Sequence, residues 1–311
     1  DCLLSRGLGD VYKRQLSVVV LGDESGYLSS EHQKMKLAAI EAMWDTEPAP
    51  AAFTAFGFPD KAARETHYAV HIPWVMGLIG TRSLTTEIPG INDLVQRTEQ
   101  YIRNGIEAYG ALEAIRAAGP TGQVPAEAKA VFEDKGGQLG YALLLKRYVD
   151  DPRQATDAQI AQAAWDTVPA VGPLFWAFRI MVGLGMFFIA LTAAFFWLSV
   201  RRRLDAHPWM LKLAVIAIPL PWIAAECGWI VAEVGRQPWI IEGVLPTALA
   251  VSNLGAGTLL LTIAGFIAIY SVLFVIEMKL MVKAIRKGPQ EESAPHLTTY
   301  FPLMQKLARG Q

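Results

Sequence analysis

The 311-residue sequence is 52% hydrophobic and only 18% charged, too apolar for an ordinary soluble domain of that length, and a membrane protein is the class it indicates. Its net charge of -1 gives no basic footprint, so nucleic acid is not an expected partner. Two cysteines, Cys2 and Cys227, are too few for a disulfide framework and lack the paired spacing of a zinc site.

Residues 1–15, DCLLSRGLGDVYKRQ, have no apolar period, and their DVYKRQ end matches what a sequencing-library adapter gives when translated. The stretch is expected to be a read-through artefact rather than fold-bearing sequence, the alternative being a polar cytoplasmic lead-in. Residues 16–21, LSVVVL, are too short to cross a bilayer, which needs about 20 helical residues, and read as the tail of a truncated transmembrane helix. Residues 22–171 carry charges of both signs and no span-length apolar run, the pattern of a large, mostly helical excursion from the membrane. Within it, Ile102, Ile106, Tyr109, Leu112 and Ile115 recur at helical spacing and predict an amphipathic helix over 99–118. GPTGQVP over 119–125 breaks it, and two shorter helical stretches, 134–150 and 157–168, follow.

Three uncharged runs come next: 180–200, then 213–225, which continues through two carboxylates, and 243–276. Their lengths predict three complete transmembrane helices within 172–288, and an all-α integral membrane protein. Arg201, Arg202 and Arg203 close the first run, and Lys279, Lys283, Arg286 and Lys287 close the last. Those charges put both ends on the cytoplasmic side and the long loop outside. Pro289 is expected to stop the last helix, with 289–311 a polar cytoplasmic tail.

Ionisable groups inside a membrane are costly and point to function. Trp222, Glu226, Trp229, Glu233 and Arg236 follow one another at steps of four, three, four and three, which aligns them on one helix face. Glu233 then reads either as an ion pair with Arg236 or as a proton relay, a metal or haem ligand, or a substrate counter-ion; Trp229 reads as packing or as an electron conduit. Pro219 and Pro221 predict a kink just before the stripe. Arg179 could snorkel to the surface and Met181 could fill a core gap. None of the five histidines falls inside a predicted span, so a haem bound there by this chain would take Met or carboxylate as its ligand. Lys36 and Glu41, with Trp44 close by, lie on a short helix that is either a solvated charged surface or a donor and proton acceptor of the kind a quinol needs.

Eight segments in order, GDESGY, KLAAIEAMW, IPWVMGLIGTRS, GYALLLKRY, FRIMVG, PLPWIAAECGW, VAEVGRQPW and GVLPTA, resemble subunit I of cytochrome bd-type quinol oxidases. The resemblance covers residue 16 to about residue 288 and implies a nine-span subunit, of which this chain keeps the tail of the sixth span and the seventh to ninth. It implies that 22–171 is the quinol-binding loop, of the long-loop subclass. By position in those motifs, Met181 would be the axial ligand of a low-spin haem b and Glu233 that of a high-spin haem b. Arg179, Trp229 and Arg236 would line the haem sites, and Lys36 and Glu41 would bind and oxidise quinol. The ligand of haem d would lie in the N-terminal part that this sequence lacks, so that the fragment alone would be inactive. The expected partners are oxidase subunit II, a small single-span subunit, quinol, oxygen and the lipid of a bacterial inner (plasma) membrane, with the loop on the periplasmic side. The competing class is a transporter segment with an intramembrane carboxylate and arginine path, or a purely structural membrane subunit.

Overall fold

A computed structural model describes residues 2–119 and 124–287 of the chain. The expected stop at Pro289, the tail 289–311 and the centre of the GPTGQVP break lie outside the described residues. The chain divides into two units, Asp1–Val251 and Ser252–Gln311.

The first unit opens with α1 (Cys2–His32), which runs unbroken through the apolar LSVVVL and the polar GDESGY segments alike. A short α2 (Lys34–Glu41) follows and ends at Ala42, which takes a left-handed conformation (φ 50°). Holding a residue with a Cβ there costs about 1–2 kcal/mol. Two backbone bonds offset the cost, from Ala42 N–H to Ala39 O and from Met43 N–H to Ala38 O.

The chain then forms an antiparallel hairpin that the reading of the loop as mostly helical did not include, β1 (Phe53–Asp60) with β2 (Glu65–Ile72). Its turn is set by Asp60, whose Oδ1 accepts the N–H groups of Ala62 (2.8 Å) and Ala63 (3.1 Å). At the tip, Lys61 Nζ donates to Val168 O at 2.8 Å, and Arg64 lies 4.2 Å over the Trp165 ring. A one-and-a-half-turn α3 (Val75–Gly80) leads into the longest loop helix, α4 (Ile91–Ala118). This helix begins eight residues before the predicted start at 99.

The buried stripe of α4 also differs from the predicted one. Ile91, Leu94, Val95, Ile102, Gly105, Ala108 and Ala111 face inward, so toward its C-terminal half small residues, not Tyr109 and Leu112, meet the neighbouring elements. Small side chains allow a close helix crossing, and the bulkier residues beside them are left half-buried. Against α4 pack α5 (Ala126–Lys135), α6 (Leu139–Leu143) and α7 (Asp157–Trp165). The last of these starts in a capping box, with Thr156 and Gln159 satisfying each other's backbone N–H groups.

The first spanning helix, α8 (Val171–Val200), is about 45 Å long at 1.5 Å per residue, longer than a hydrocarbon core of about 30 Å requires. The excess has a use: Val171, Leu174, Phe175 and Ala177 are buried in the core of the loop. From Ile180 onward several large apolar side chains are open, Met186, Ile189, Phe196 and Trp197 among them, and others, Phe187, Phe188 and Phe195 included, are half-buried. The span expected at 180–200 is therefore the part of α8 beyond the core of the loop, with α10 packed along one side of the helix.

The second span runs over Pro208–Val234 and is broken where the two prolines predict it, between α9 (Pro208–Ala217) and α10 (Leu220–Val234). The uncharged run expected as a span from Gly243 is not helical at its start. Trp239–Ile241 (β3) and Leu245–Pro246 (β4) pair as a small hairpin that turns at Gly243 (φ 72°). In the second unit, α11 (Ala256–Lys287) supplies the third helix long and apolar enough to cross a membrane. The result is an all-α membrane protein in class, with two short hairpins attached.

Candidate functional site

Glu41 is the last residue of α2, and the left-handed turn behind it aims its side chain at α8. There it meets Arg179 with an Nη2 to Oε2 distance of 3.0 Å, the two side chains being only 1% and 7% exposed. Arg179 therefore does not snorkel to the surface. Its Nε donates to Thr54 O at 2.8 Å, and its Nη1 donates to Ile40 O at 2.6 Å and to Phe175 O at 3.1 Å. A further Nη2 bond to Thr54 O is very short. The guanidinium lies 3.4 Å from the Phe175 ring centroid and 5.2 Å from that of Phe53. Glu41 Oε2 also accepts the Thr54 N–H at 3.3 Å. Its Oε1 is buried with no hydrogen-bond partner. Burial pushes the Glu41 carboxyl up to about 7, against the opposing pull of Arg179 and the Thr54 N–H.

Lys36 is carried to a different place. Five residues apart on a helix means about 140° of rotation and about 7.5 Å of rise, so Lys36 and Glu41 leave α2 on different faces. Lys36 reaches the end of α10, where the chain passes Gly235. A Cβ at Gly235 would stand 2.9 Å from Lys36 Cγ and 3.1 Å from Leu174 Cδ2, so glycine is what lets the lysine stem cross there. Beside it, Glu233 and Arg236 form a short ion pair. Burial and the positive charge of Arg236 hold the Lys36 amine below its usual range, while Glu233 and Glu242 act the other way.

Lys36 and Arg236 open on a hollow of about 280 Å³ walled by Tyr101, Tyr141, Trp239 and Glu242. The Tyr141 ring lies 5.2 Å from that of Tyr101 and 5.1 Å from that of Trp239. Burial pushes the Tyr141 hydroxyl up to about 12, so it stays protonated and can donate.

Met181 lies two residues beyond Arg179 and packs against the core from α8. A Cβ at Gly228 of α10 would be 3.3 Å from its sulfur, so the thioether occupies the space a glycine leaves. Next to Gly228, Trp229 is 63% exposed, and Trp222, nearly two turns earlier, is 68% exposed. The predicted stripe is thus an open face of α10, which ends in the Glu233–Arg236 pair.

Of the predicted residues, the structure brings Glu41 to Arg179 and Lys36 to Glu233 and Arg236, and it keeps these two groups apart. The sequence reading missed Thr54, whose backbone serves both members of the buried pair, and the aromatic wall of Tyr101, Tyr141 and Trp239. Thr54 had no signal, because its contribution is a backbone carbonyl and amide. The aromatic wall joins three distant segments.

A family model described as cytochrome bd terminal oxidase subunit I matches residues 11–289, beginning inside the stretch expected to be adapter sequence. The chain is 36% identical over 274 residues, 88% of its length, to a cytochrome bd-II ubiquinol oxidase subunit 1 of Escherichia coli (strain K12), of which it covers 52%. It is 27% identical over 86% of its length to a cytochrome bd ubiquinol oxidase subunit 1 of Bacillus subtilis (strain 168), of which it covers 46%. A putative cytochrome bd menaquinol oxidase subunit I of the same Bacillus is 25% identical over 93% of the chain and is covered to 49%. The chain thus spans about half the length of the curated relatives it matches. With its family match running through the loop and the spans alike, the chain belongs to the cytochrome bd terminal oxidase subunit I family.

Proposed function

We propose that this chain supplies the quinol-oxidising loop and two haem-ligating spans of a membrane-bound terminal oxidase. The overall reaction is 2 QH2 + O2 → 2 Q + 2 H2O, with quinol protons released outside, protons for water taken from inside, and a proton gradient as the result. The observation that carries this reading is the buried Glu41–Arg179 pair, which ties the end of α2 to the span that bears Met181. A carboxyl near 7 is suited to take a proton at neutral pH, and Oε1 of Glu41 is the oxygen without another bond. Lys36, on the other face of α2 and open to the hollow, is assigned as the donor that holds a quinol ring oxygen.

Met181 and Glu233 would hold the irons of a low-spin and a high-spin haem b, and when bound those haems would accept electrons from quinol one at a time. The residues fit such groups. Met181 offers a soft thioether, a ligand type that raises a haem potential. Glu233 offers an anionic oxygen, with Arg236 bonded to its other one. Arg179, Trp229 and Arg236 would lie beside the haems, where the cations would offset negative charge in a low-dielectric medium. Haem d, its ligand, oxidase subunit II and a small single-span subunit belong to the complete assembly. The basic residues after α8 and within the last turns of α11 support a bacterial inner-membrane topology with the loop on the outer side.

Quinol-dependent oxygen uptake by the full-length parent with its partner subunit tests the assignment. Glu41→Gln is expected to lower kcat by about tenfold or more with a modest change in KM, whereas Lys36→Met is expected chiefly to raise KM. Wild-type kinetics in both variants would remove the loop from quinol oxidation.

A further inference from the structure

We propose that Arg179 is a positioning residue for the proton-accepting carboxylate: it fixes one oxygen of Glu41 and so leaves Oε1 as the single acceptor. This rests on the reading of Glu41 as the proton acceptor in quinol oxidation. It gives Arg179 a task other than lining a haem.

A guanidinium has five N–H donors in a rigid planar fork. Here Nε is used on Thr54 O, Nη1 on Ile40 O and Phe175 O, and Nη2 on Glu41 Oε2 and Thr54 O. All five donors end on protein acceptors. The plane is also held from outside by the rings of Phe175 and Phe53. The acceptors come from three elements, the end of α2, β1 and α8 itself, so the fork can take one orientation only.

Glu41 inherits that order. Oε2 receives Arg179 and the Thr54 N–H, whereas Oε1, equally buried, receives nothing. Two carboxylate oxygens that are chemically equal in water have thus been made unequal. A lysine at position 179 could keep the charge but has three donors on a flexible stem, too few for this set of acceptors.

The test is a double-mutant cycle in the full-length parent with its partner subunit, reading kcat and KM for quinol together with haem content from absorption spectra. Arg179→Gln is expected to lower kcat about as far as Glu41→Gln, with KM changed less than about threefold and the haem bands retained. The double variant is expected to lose no more than about a further threefold, because both changes disable one group. Arg179→Lys is expected to recover part of the loss. Multiplicative losses in the double variant, or wild-type kcat in Arg179→Gln, would overturn the proposal. Wild-type kcat in Glu41→Gln would instead show that the underlying reading of Glu41 fails, and the proposal with it. If Arg179→Gln does not assemble, the same cycle run with Arg179→Lys decides by the same criterion.

Discussion

Glu41 and Arg179 are 138 positions apart in sequence and 3.0 Å apart in the structure, a buried pair that only the fold assembles. A carboxyl raised from 4.5 to about 7 by burial binds its proton more tightly in the folded protein than in the unfolded chain. Between about pH 4.5 and 7 the folded state therefore holds more proton, and this group's contribution to stability falls as pH rises through that window and levels off above it. The full change is on the order of 3 kcal/mol. Thermal unfolding of the detergent-solubilised complex across that range should show a declining Tm in the wild type and a flatter profile in Glu41→Gln. Equal slopes in the two would contradict the burial argument. The candidate residues could be picked out in sequence as types in motifs, but which of them meet could not. Lys36 and Glu41 were read together because they share a short helix, yet 140° of rotation sends one to Arg236 and the other to Arg179.

At the scale of elements, hydrophobic pattern found the long helices and misjudged their edges. The break at Pro219 and Pro221 was visible because proline removes a helical hydrogen bond wherever it sits. The start of α11 was placed too early because an uncharged run does not say where backbone bonding begins, and GVLPTA spends its apolar residues on a strand pair and a turn. The β1–β2 hairpin was overlooked although Phe56 and Phe58, then Thr66, Tyr68, Val70 and Ile72, alternate on either side of an aspartate turn. The alternation is real but interrupted by two register shifts, which blunts a period-two pattern. The hairpin tip is held by Lys61 on Val168 O and by Arg64 over Trp165. Lys61→Ala removes the charge-assisted bond at a solvent-facing position, a loss of about 1 kcal/mol. It should therefore speed proteolytic cleavage in the turn between Asp60 and Glu65 severalfold while leaving the haem spectrum as in the wild type. An unchanged cleavage rate would show that the tip is fastened by something else.

At the scale of the whole molecule, length and charge are enough to mark three helices that can cross a membrane and a large segment that does not. The structure adds that the first two turns of α8 belong to the core of that segment, so the loop and the start of the span are one packed body within the first unit. The family match confirms the membership that eight short motifs implied, and it does so over a chain about half as long as its relatives. The central proposal is that Met181 and Glu233 are haem ligands. Reduced-minus-oxidised absorption spectra of membranes carrying the full-length parent and its partner subunit test it most directly. The account predicts that Met181→Leu alters the low-spin haem b band alone and Glu233→Ala the high-spin band alone. Unchanged spectra in both variants would contradict the ligand assignment and favour an ion or substrate path along the α10 stripe.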